Sequence, residues 1–455
     1  MINYPVQQQG AALLIFVLLF VVGSTALIAT LQHAILSDLT TARQLVNVKQ
    51  AFFASESGLE DVAFRLQAGV TVDAETVTSM GGVTATTTAT FDTVENRYEV
   101  MAASAAQGQH RHTTLLLYVG SGASFNFGVQ SGNGGFHMAN GSSVRGNVFS
   151  NGTITKGGGT ATIYGDVISA GPSGLIAEIN ATGTARARVV RDSSIDQDVY
   201  AYTLDGEFTG GDAYVHERIG GAVVVGDTYG HQPEEATTTL PIDDDQVESM
   251  KQDIVDNGTV IAATDPECAG GTYVIDSDTT LGQLKIECDV EFRKKGSATT
   301  ITLTNSLWVA GNLDFAGGPT VVIDESVGNQ TVPIIVDNES DRLTSSQVSI
   351  KSGTTFIGSG SPKSYVLVLS QNQSAKTGGT EDAIFVGQSS AGDLLVYAGH
   401  GKVRLGNSIS LKEVTGYLIE LGNSAEVIYE SGLVNLLFTS GPGGGFTISE
   451  WREVQ

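Results

Sequence analysis

Residues 142–152, SSVRGNVFSNG, and residues 160–171, TATIYGDVISAG, read as one small unit written twice. Each has a short β-branched run, a Gly followed by Asn or Asp, a second apolar run and a Gly-bearing turn. Gly146-Asn147 and Gly165-Asp166 stand 19 positions apart. The unit recurs in NSLWVAGNLDFAGG (305–318), GKVRLGNSISL (401–411) and GYLIELGNSAEVIYESG (416–432). Their dipeptides are Gly311-Asn312, Gly406-Asn407 and Gly422-Asn423, the last two 16 apart. One such unit cannot bury its apolar face alone, so neighbours stack. From Gly120 onward the expected fold is a β-solenoid. The irregular period leaves a β-sandwich head as the alternative. Glycine supplies 56 of 455 residues, well above the usual ~7%.

Towards the N terminus the texture changes. From Ala11 to Leu31 there is no charge, Asn, Gln or Pro. As a helix this run spans roughly 31 Å, which matches a bilayer hydrocarbon core of about 30 Å. A secretory signal has a shorter apolar region and a basic stretch before it, and here no Lys or Arg precedes the run. A membrane helix over residues 11–31 is expected. Arg43 and Lys49 follow it, but long domains translocate largely regardless of such charges, so they set no orientation. Residues 33–67 contain no proline, and Phe52, Leu59, Val62, Ala63 and Leu66 form a helical stripe. One helix to about Ala68 is expected, half apolar and half amphipathic. Residues 82–119 then read as three antiparallel strands, GVTATTTATFD, NRYEVMAASAA and HRHTTLLLYV.

Residues 231–260 interrupt the β region. Leu240-Pro241 leads into Asp243, Asp244 and Asp245, followed by Val247, Met250 and Ile254 at helical spacing, and Asn257-Gly258 closes the segment. The aspartates stand where an N-cap and a favourable dipole charge belong. A short helix is expected that divides the β region or caps one face of it. The alternative of a Ca²⁺ loop lacks the D-x-D-x-D-G pattern.

The formal net charge is −25, and every charged residue lies beyond residue 37. Such a surface repels nucleic-acid phosphates, so nucleic acid is not an expected partner. The only cysteines, Cys268 and Cys288, are expected to pair in an oxidising compartment. Two cysteines alone make a poor zinc site, and no metal or other cofactor is expected.

Motifs for catalysis are thin. His110 and His112 share a strand face without a third ligand in the sequence nearby. His216-Glu217 and His400 stand alone. SAGPSG (169–174) lacks the strand–helix setting of a nucleophile elbow, and SGPGGGF (440–446) lacks the Lys of a phosphate loop. Asp166, Asp314 and Asp393 lie near glycine turns, where solvated turn aspartates are common. A β-helix enzyme acting on polysaccharide would need such carboxylates to converge.

QQQG-AALLIFVLLF together with ARQLVNVKQAFFASESGLEDVAFRL resembles the N-terminal region of PilX-type minor pilins of type IV pilus systems, over about the first 70 residues. The resemblance implies cleavage between Gly10 and Ala11 by a prepilin peptidase, with Ala11 then N-methylated. It also implies packing of the apolar helix against other pilin subunits. Ala51, Ala54, Glu56, Gly58, Leu59 and Glu60 match the motif of that group. Two departures stand out. Ile15 occupies the place of the glutamate typical of shaft pilins, which favours a minor or tip subunit, and the leader MINYPVQQQG has no Lys or Arg.

The expected organisation is a leader (1–10), a transmembrane and stalk helix (11–69), a small antiparallel unit (70–120), a first solenoid section (121–230), a linker with a short helix (231–260) and a second solenoid section (261–455). The expected function is that of a non-enzymatic minor pilin-like subunit. It starts in the inner membrane and then displays a large acidic head at the cell surface, where a glycan or a host surface is the expected kind of ligand. Two alternatives are an anchored β-helix that binds or cleaves polysaccharide, and a bactofilin-like scaffold that polymerises by itself.

Overall fold

The computed structural model describes residues 9–67, 72, 75–92, 97–120, 122–123, 125–351, 353–430, 433, 436–440 and 445–454. The chain forms two compact units, residues 1–119 with 447–455, and residues 120–446. It is mainly β, with a long N-terminal helix, a small antiparallel sheet and a head of parallel ladders.

In the first unit, helix α1 (Gln9–Gln67) packs its C-terminal half on antiparallel strands β1 (Thr76–Met80), β2 (Val83–Asp92), β3 (Arg97–Ala106) and β4 (Gln109–Gly120). Alternation places Val83, Ala85, Thr87, Val100, Ala102 and Ser104 on the buried face, opposite Ala51, Ala54, Leu59 and Val62 of the helix. The small residues bring backbone close to backbone. A Cβ on Gly58 would fall 2.4 Å from Thr87 Oγ1. Gly81-Gly82 and Gln107-Gly108 have positive φ at both positions, as tight hairpins require. Three strands were expected here. Two more complete the sheet: β1, and the C-terminal strand Gly445–Val454 beside β4. That strand falls inside the stretch 261–455 read as solenoid, yet it belongs to this sheet. Glu95-Asn96, read from the sequence as the turn between the first two of the three expected strands, lies outside the described residues.

The second unit is a parallel β-solenoid with one core. A column of registered residues runs through it in the order Leu284, Leu307, Ile334, Val368, Val396, Val414, then Val129, Val148, Val167, Ala185, Val199 and Ala213. All are buried. The link from Val414 to Val129 is decisive. The two stretches read as separate solenoid sections are one stack, and the chain enters in the middle. It winds outward to Thr228–Gly230, returns to the opposite end at Thr259–Ile261, and winds back to meet its own first coil.

Coil length varies along the stack, from 34 residues between Ile334 and Val368 to 14 between Ala185 and Val199, which explains the irregular spacing in the sequence. Wide coils hold Phe292, Phe315 and Phe356 in edge-on contact, with centroids 5.2 and 5.5 Å apart. The narrow coils at the other end hold Ala185, Ala187, Ala201 and Ala213 in the core.

The return path is a strap over residues 231–258. At about 4.8 Å per rung the stack is roughly 60 Å long. An extended segment at about 3.3 Å per residue, followed by the short helix at about 1.5 Å per residue, covers a similar distance. The strap crosses the coils in reverse order. His231 Nδ1 meets Ala201 O at 3.0 Å, Arg188 pairs with Glu234 at 2.8 Å, and Asn151 exchanges two hydrogen bonds with Thr238 at 2.7 and 3.0 Å. Helix α2 (Asp244–Asn257) follows, closed by a capping box in which Asp243 accepts from Gln246 N at 2.7 Å. Its Val247, Met250 and Ile254 cover the outward side chains of Trp308, Ile335, Leu367, Leu395 and Tyr397. The expected helix is present, and it lies along one face of a single stack.

Cys268 and Cys288 are disulfide-bonded, with Cα atoms 5.8 Å apart. The bond ties the terminal coil at the 259–281 end to the next coil. Opening it frees a loop of about 20 residues, so reduction or a Cys268→Ser/Cys288→Ser variant is expected to cost about 2–4 kcal/mol in denaturant unfolding. Gly183→Ala is expected to lower the unfolding midpoint as well. The new Cβ would meet Asp166 Oδ1 at 2.4 Å and the Gly165 backbone at 2.5 Å, an overpacking worth roughly 1–3 kcal/mol or more.

Candidate functional site

The motif residues on α1 divide by role. Ala51, Ala54 and Leu59 are buried against the sheet, and Gly58 allows the close approach to Thr87. Glu60 is exposed. Glu56 is pushed upward by partial burial and then by the nearby carboxylates of Glu60 and Glu453. Gly10 and Ala11 lie in the first turns of α1, and residues 1–8 of the expected leader lie outside the described residues.

The N-terminal half of α1 touches little. Leu13 through Val22 are 51–70% exposed, Ile15 included at 58%, and Leu27 and Ile28 are exposed too. Its hydroxyls bond inward: Thr25 Oγ1 donates to the carbonyls of Val21 and Val22, both at 2.9 Å. Among the described residues no helix is long and apolar enough to cross a membrane. The described side chains of the apolar run cover residues 13–28, a stretch shorter than the expected span 11–31.

The other residues singled out do not assemble a reaction centre. His110 and His112 are exposed on β4. His216 stacks on Tyr202 with centroids 4.5 Å apart. Asp166 Oδ1 accepts Thr184 N at 2.8 Å, Asp393 Oδ2 accepts Gly358 N at 3.0 Å, and Asp314 pairs with Lys351. These three aspartates belong to different corners and faces.

One carboxylate cluster gave no signal in the sequence, because its members come from distant segments. Glu248, Asp337 and Glu339 place carboxylate oxygens within 4.8 Å of one another, the only such group among the described residues. The Lys251 ammonium already sits among them, 2.9, 2.7 and 2.5 Å from the three. Lys251 is 2% exposed, and Trp308 lies beneath its ammonium at 4.7 Å. Arg342 grips Asp337 through two 2.7 Å bonds. Burial would raise the Asp337 carboxyl, yet its bonds to Arg342 and Lys251 hold it below the usual range. The arrangement fastens α2 to the stack and leaves no place for a cation.

The open site lies beside the strap, where five successive coils turn the same corner. Matched residues Ala398/Gly416/Ser131 and Lys402/Leu418/Gly135 flank bulges that project His400, Tyr417 and Asn133. Gln371 and Asn151 stand at the same corner in the flanking coils. With strap residues 238–244, Lys376 and Tyr397 they line a cleft of about 430 Å³. Glycines shape it. A Cβ on Gly134 would fall 2.7 Å from Tyr417 O and 2.9 Å from its ring, and one on Gly401 would fall 2.2 Å from the Ala383 Cβ. His400 Nε2 meets both oxygens of Asp244 at 2.8 and 3.0 Å, and its Nδ1 lies 3.1 Å from Lys376 Nζ. The Tyr397 hydroxyl donates to Ile242 O. His400 and the strap residues Leu240, Asp243 and Asp244 were noted in the sequence, whereas Gln371, Asn133, Asn151 and Lys376 were not. The legible signal was a residue set between glycines, as in Gly132-Asn133-Gly134 and Gly399-His400-Gly401.

No protein-family model matches the chain, and no curated protein matches it. Among solved structures, the competence-associated pilin ComZ from Thermus thermophilus is similar at 12% identity, over 90% of this chain and 97% of that one, with a TM-score of 0.21. At so low a score the two chains do not superpose as wholes, and any functional reading rests on this chain's own residues.

Lys251→Met is expected to lower stability by about 3–5 kcal/mol in denaturant unfolding, because it strips one of two cations from a fully buried carboxylate. Glu207 gives a pH test. Its carboxyl is buried, accepts Ser193 N at 3.0 Å and is pushed by burial from 4.5 to about 8. The native state thus keeps a proton that the unfolded chain loses. This contribution to stability is full below the unfolded value and falls as pH rises towards the folded one, by up to about 1.4 kcal/mol per unit. Glu207→Gln is expected to flatten the slope between pH 4.5 and about 8 in unfolding curves. Glu413, buried and raised in the same sense, supplies the slope that remains.

Proposed function

We propose that this chain is a minor pilin-like subunit of a type IV pilus or related filament that displays an acidic β-solenoid head and has no catalytic role. The observation that carries this reading is the division within α1. Its C-terminal half is packed on a sheet, while residues 13–28 present large aliphatic side chains on every side. Leaving one such side chain in water forgoes about 1.5–3 kcal/mol. A run of them requires a covering of lipid or of other apolar helices. A single-pass position in the inner membrane before assembly, followed by packing among pilin helices with the head at the cell surface, provides the two in turn. The PilX-like motif gives the same reading from the sequence. Ile15 places no carboxylate near a processed amine in the apolar core, where an unpaired charge is costly, and this favours a minor or tip position.

The prediction is chemical. Mass spectrometry of the protein from sheared filaments or membranes is expected to find residues 1–10 absent and Ala11 N-methylated. An unprocessed Met1 in surface-exposed protein would overturn the reading.

A further inference from the structure

We propose that the corner cleft binds a neutral oligosaccharide. The proposal does not depend on the filament reading.

Charge inside the cleft is spent internally. Asp244 is held by His400, which meets Lys376 on its other nitrogen. Asp243 is taken up in the cap of α2. Apart from Lys376, which makes no ion pair among the described residues, the unengaged groups are uncharged. Gln371 is only 5% exposed, and its side-chain amide has no hydrogen-bond partner among the described residues. Its polar atoms open onto the cleft, where the hydroxyls of an entering ligand can take the place of water. Asn133 is exposed at the same corner, beyond the coils of His400 and Tyr417, and the Tyr417 hydroxyl faces no partner among the described residues.

Amides and a phenol each both donate and accept, as do the hydroxyls of a sugar. The Tyr417 ring adds an apolar surface for the C–H face of a pyranose. The volume falls within the range of small-ligand pockets, about 300–1,000 Å³. Anionic saccharides are disfavoured, because the one cation of the lining, Lys376, stands against Asp243 and Asp244 and the chain carries a net charge of −25. The same corner runs on through successive coils, so the site is open along the stack and admits a chain of sugars.

The test uses the full chain in detergent. The probes are neutral tetrasaccharides of glucose, galactose, mannose and N-acetylglucosamine, at up to about 10 mM, the range of weak single-site binding. Saturation-transfer NMR detects binding, and titration calorimetry measures it. At least one neutral probe is expected to bind. Asn133→Ala and Gln371→Ala are each expected to weaken it about tenfold, as for loss of a buried hydrogen bond, with an unchanged melting temperature. Tyr417→Phe is expected to retain more affinity than Tyr417→Ala. Asn133 is exposed and outside the core, so its variant keeps the test valid should Gln371→Ala unfold. Three results would overturn the proposal: no binding of any neutral probe to folded protein, affinity indifferent to the three positions, or a preference for an oligouronate or a peptide over every neutral sugar.

Discussion

At one corner of the head, coil after coil, a side-chain oxygen accepts the backbone N–H of the next coil. Asn147 Oδ1 takes Asp166 N at 2.9 Å, Asp166 takes Thr184 N at 2.8 Å, and Asp198 and Asp212 repeat the bond to Asp212 and Asp227 at 2.8 Å. Asp289 and Asn312 do the same at a second corner, at 2.7 and 3.0 Å, and Asn407 at the third, at 2.9 Å. Chain that turns a corner cannot keep its ladder bonds, and its buried N–H groups need acceptors. A short Asn or Asp supplies one without lengthening the coil. The glycine before it is demanded by the same geometry, because the side chain of the preceding coil passes directly over it. A Cβ on Gly165, Gly211 or Gly226 would fall 2.8, 2.4 or 2.3 Å from that oxygen. Where corners are fixed in this way, the rest of the coil is free to vary in length. Coils of quite different size therefore share one column of buried residues.

The order of the coils follows from a second constraint. The chain enters and leaves the head at the same place, where Gly122–Ala123 pairs with Leu436–Leu437 and the first and last coils lie side by side. A chain that enters mid-stack must cross the whole stack once, and the strap is that crossing. It also solves a surface problem. The strands Val332–Val336, Val366–Ser370 and the start of Leu394–Leu405 are apolar on both faces, as for strands covered on both sides. The apolar stripe of α2 supplies the outer cover. Exposed faces elsewhere are stitched by pairs such as Arg293–Glu291 and Arg404–Asp382, which keep them hydrated.

What the sequence revealed and what it concealed follow from range. The Gly-Asx dipeptides, the helix with its capping aspartates and the stripe Val247–Met250–Ile254 are local features, and each was legible. So were the apolar run and the alternating strands of the small sheet. The join of Val414 to Val129 leaves no local trace, since any coil of suitable width would pair as well, and so two solenoid sections were read where one exists. Gly445–Val454 looks no different from a solenoid strand, and only its partner β4 sets it apart. The cluster around Lys251 and the corner cleft both arise from segments brought together by the strap, over separations of 86 and 156 residues. Periodicity could not reach across such distances.

The two halves of α1 pose the remaining problem, because one continuous helix has been given two incompatible surfaces. The C-terminal half is folded in the usual sense: its small residues meet a small-residue sheet face, and Ser104 donates to the carbonyl of Ala51. The N-terminal half satisfies every rule for an apolar medium and none for water. Ser24 and Thr25 return their hydroxyls to the carbonyls one turn back, which removes the polar groups that water would have solvated and that hydrocarbon would penalise. A Cβ on Gly23 would have no neighbour within 4 Å. Such a surface is stable only when covered, and nothing in the described residues of this chain covers it. In the function proposed above, lipid or the apolar helices of other subunits supply that cover, and the same residues can use either because both are satisfied by apolar contact alone.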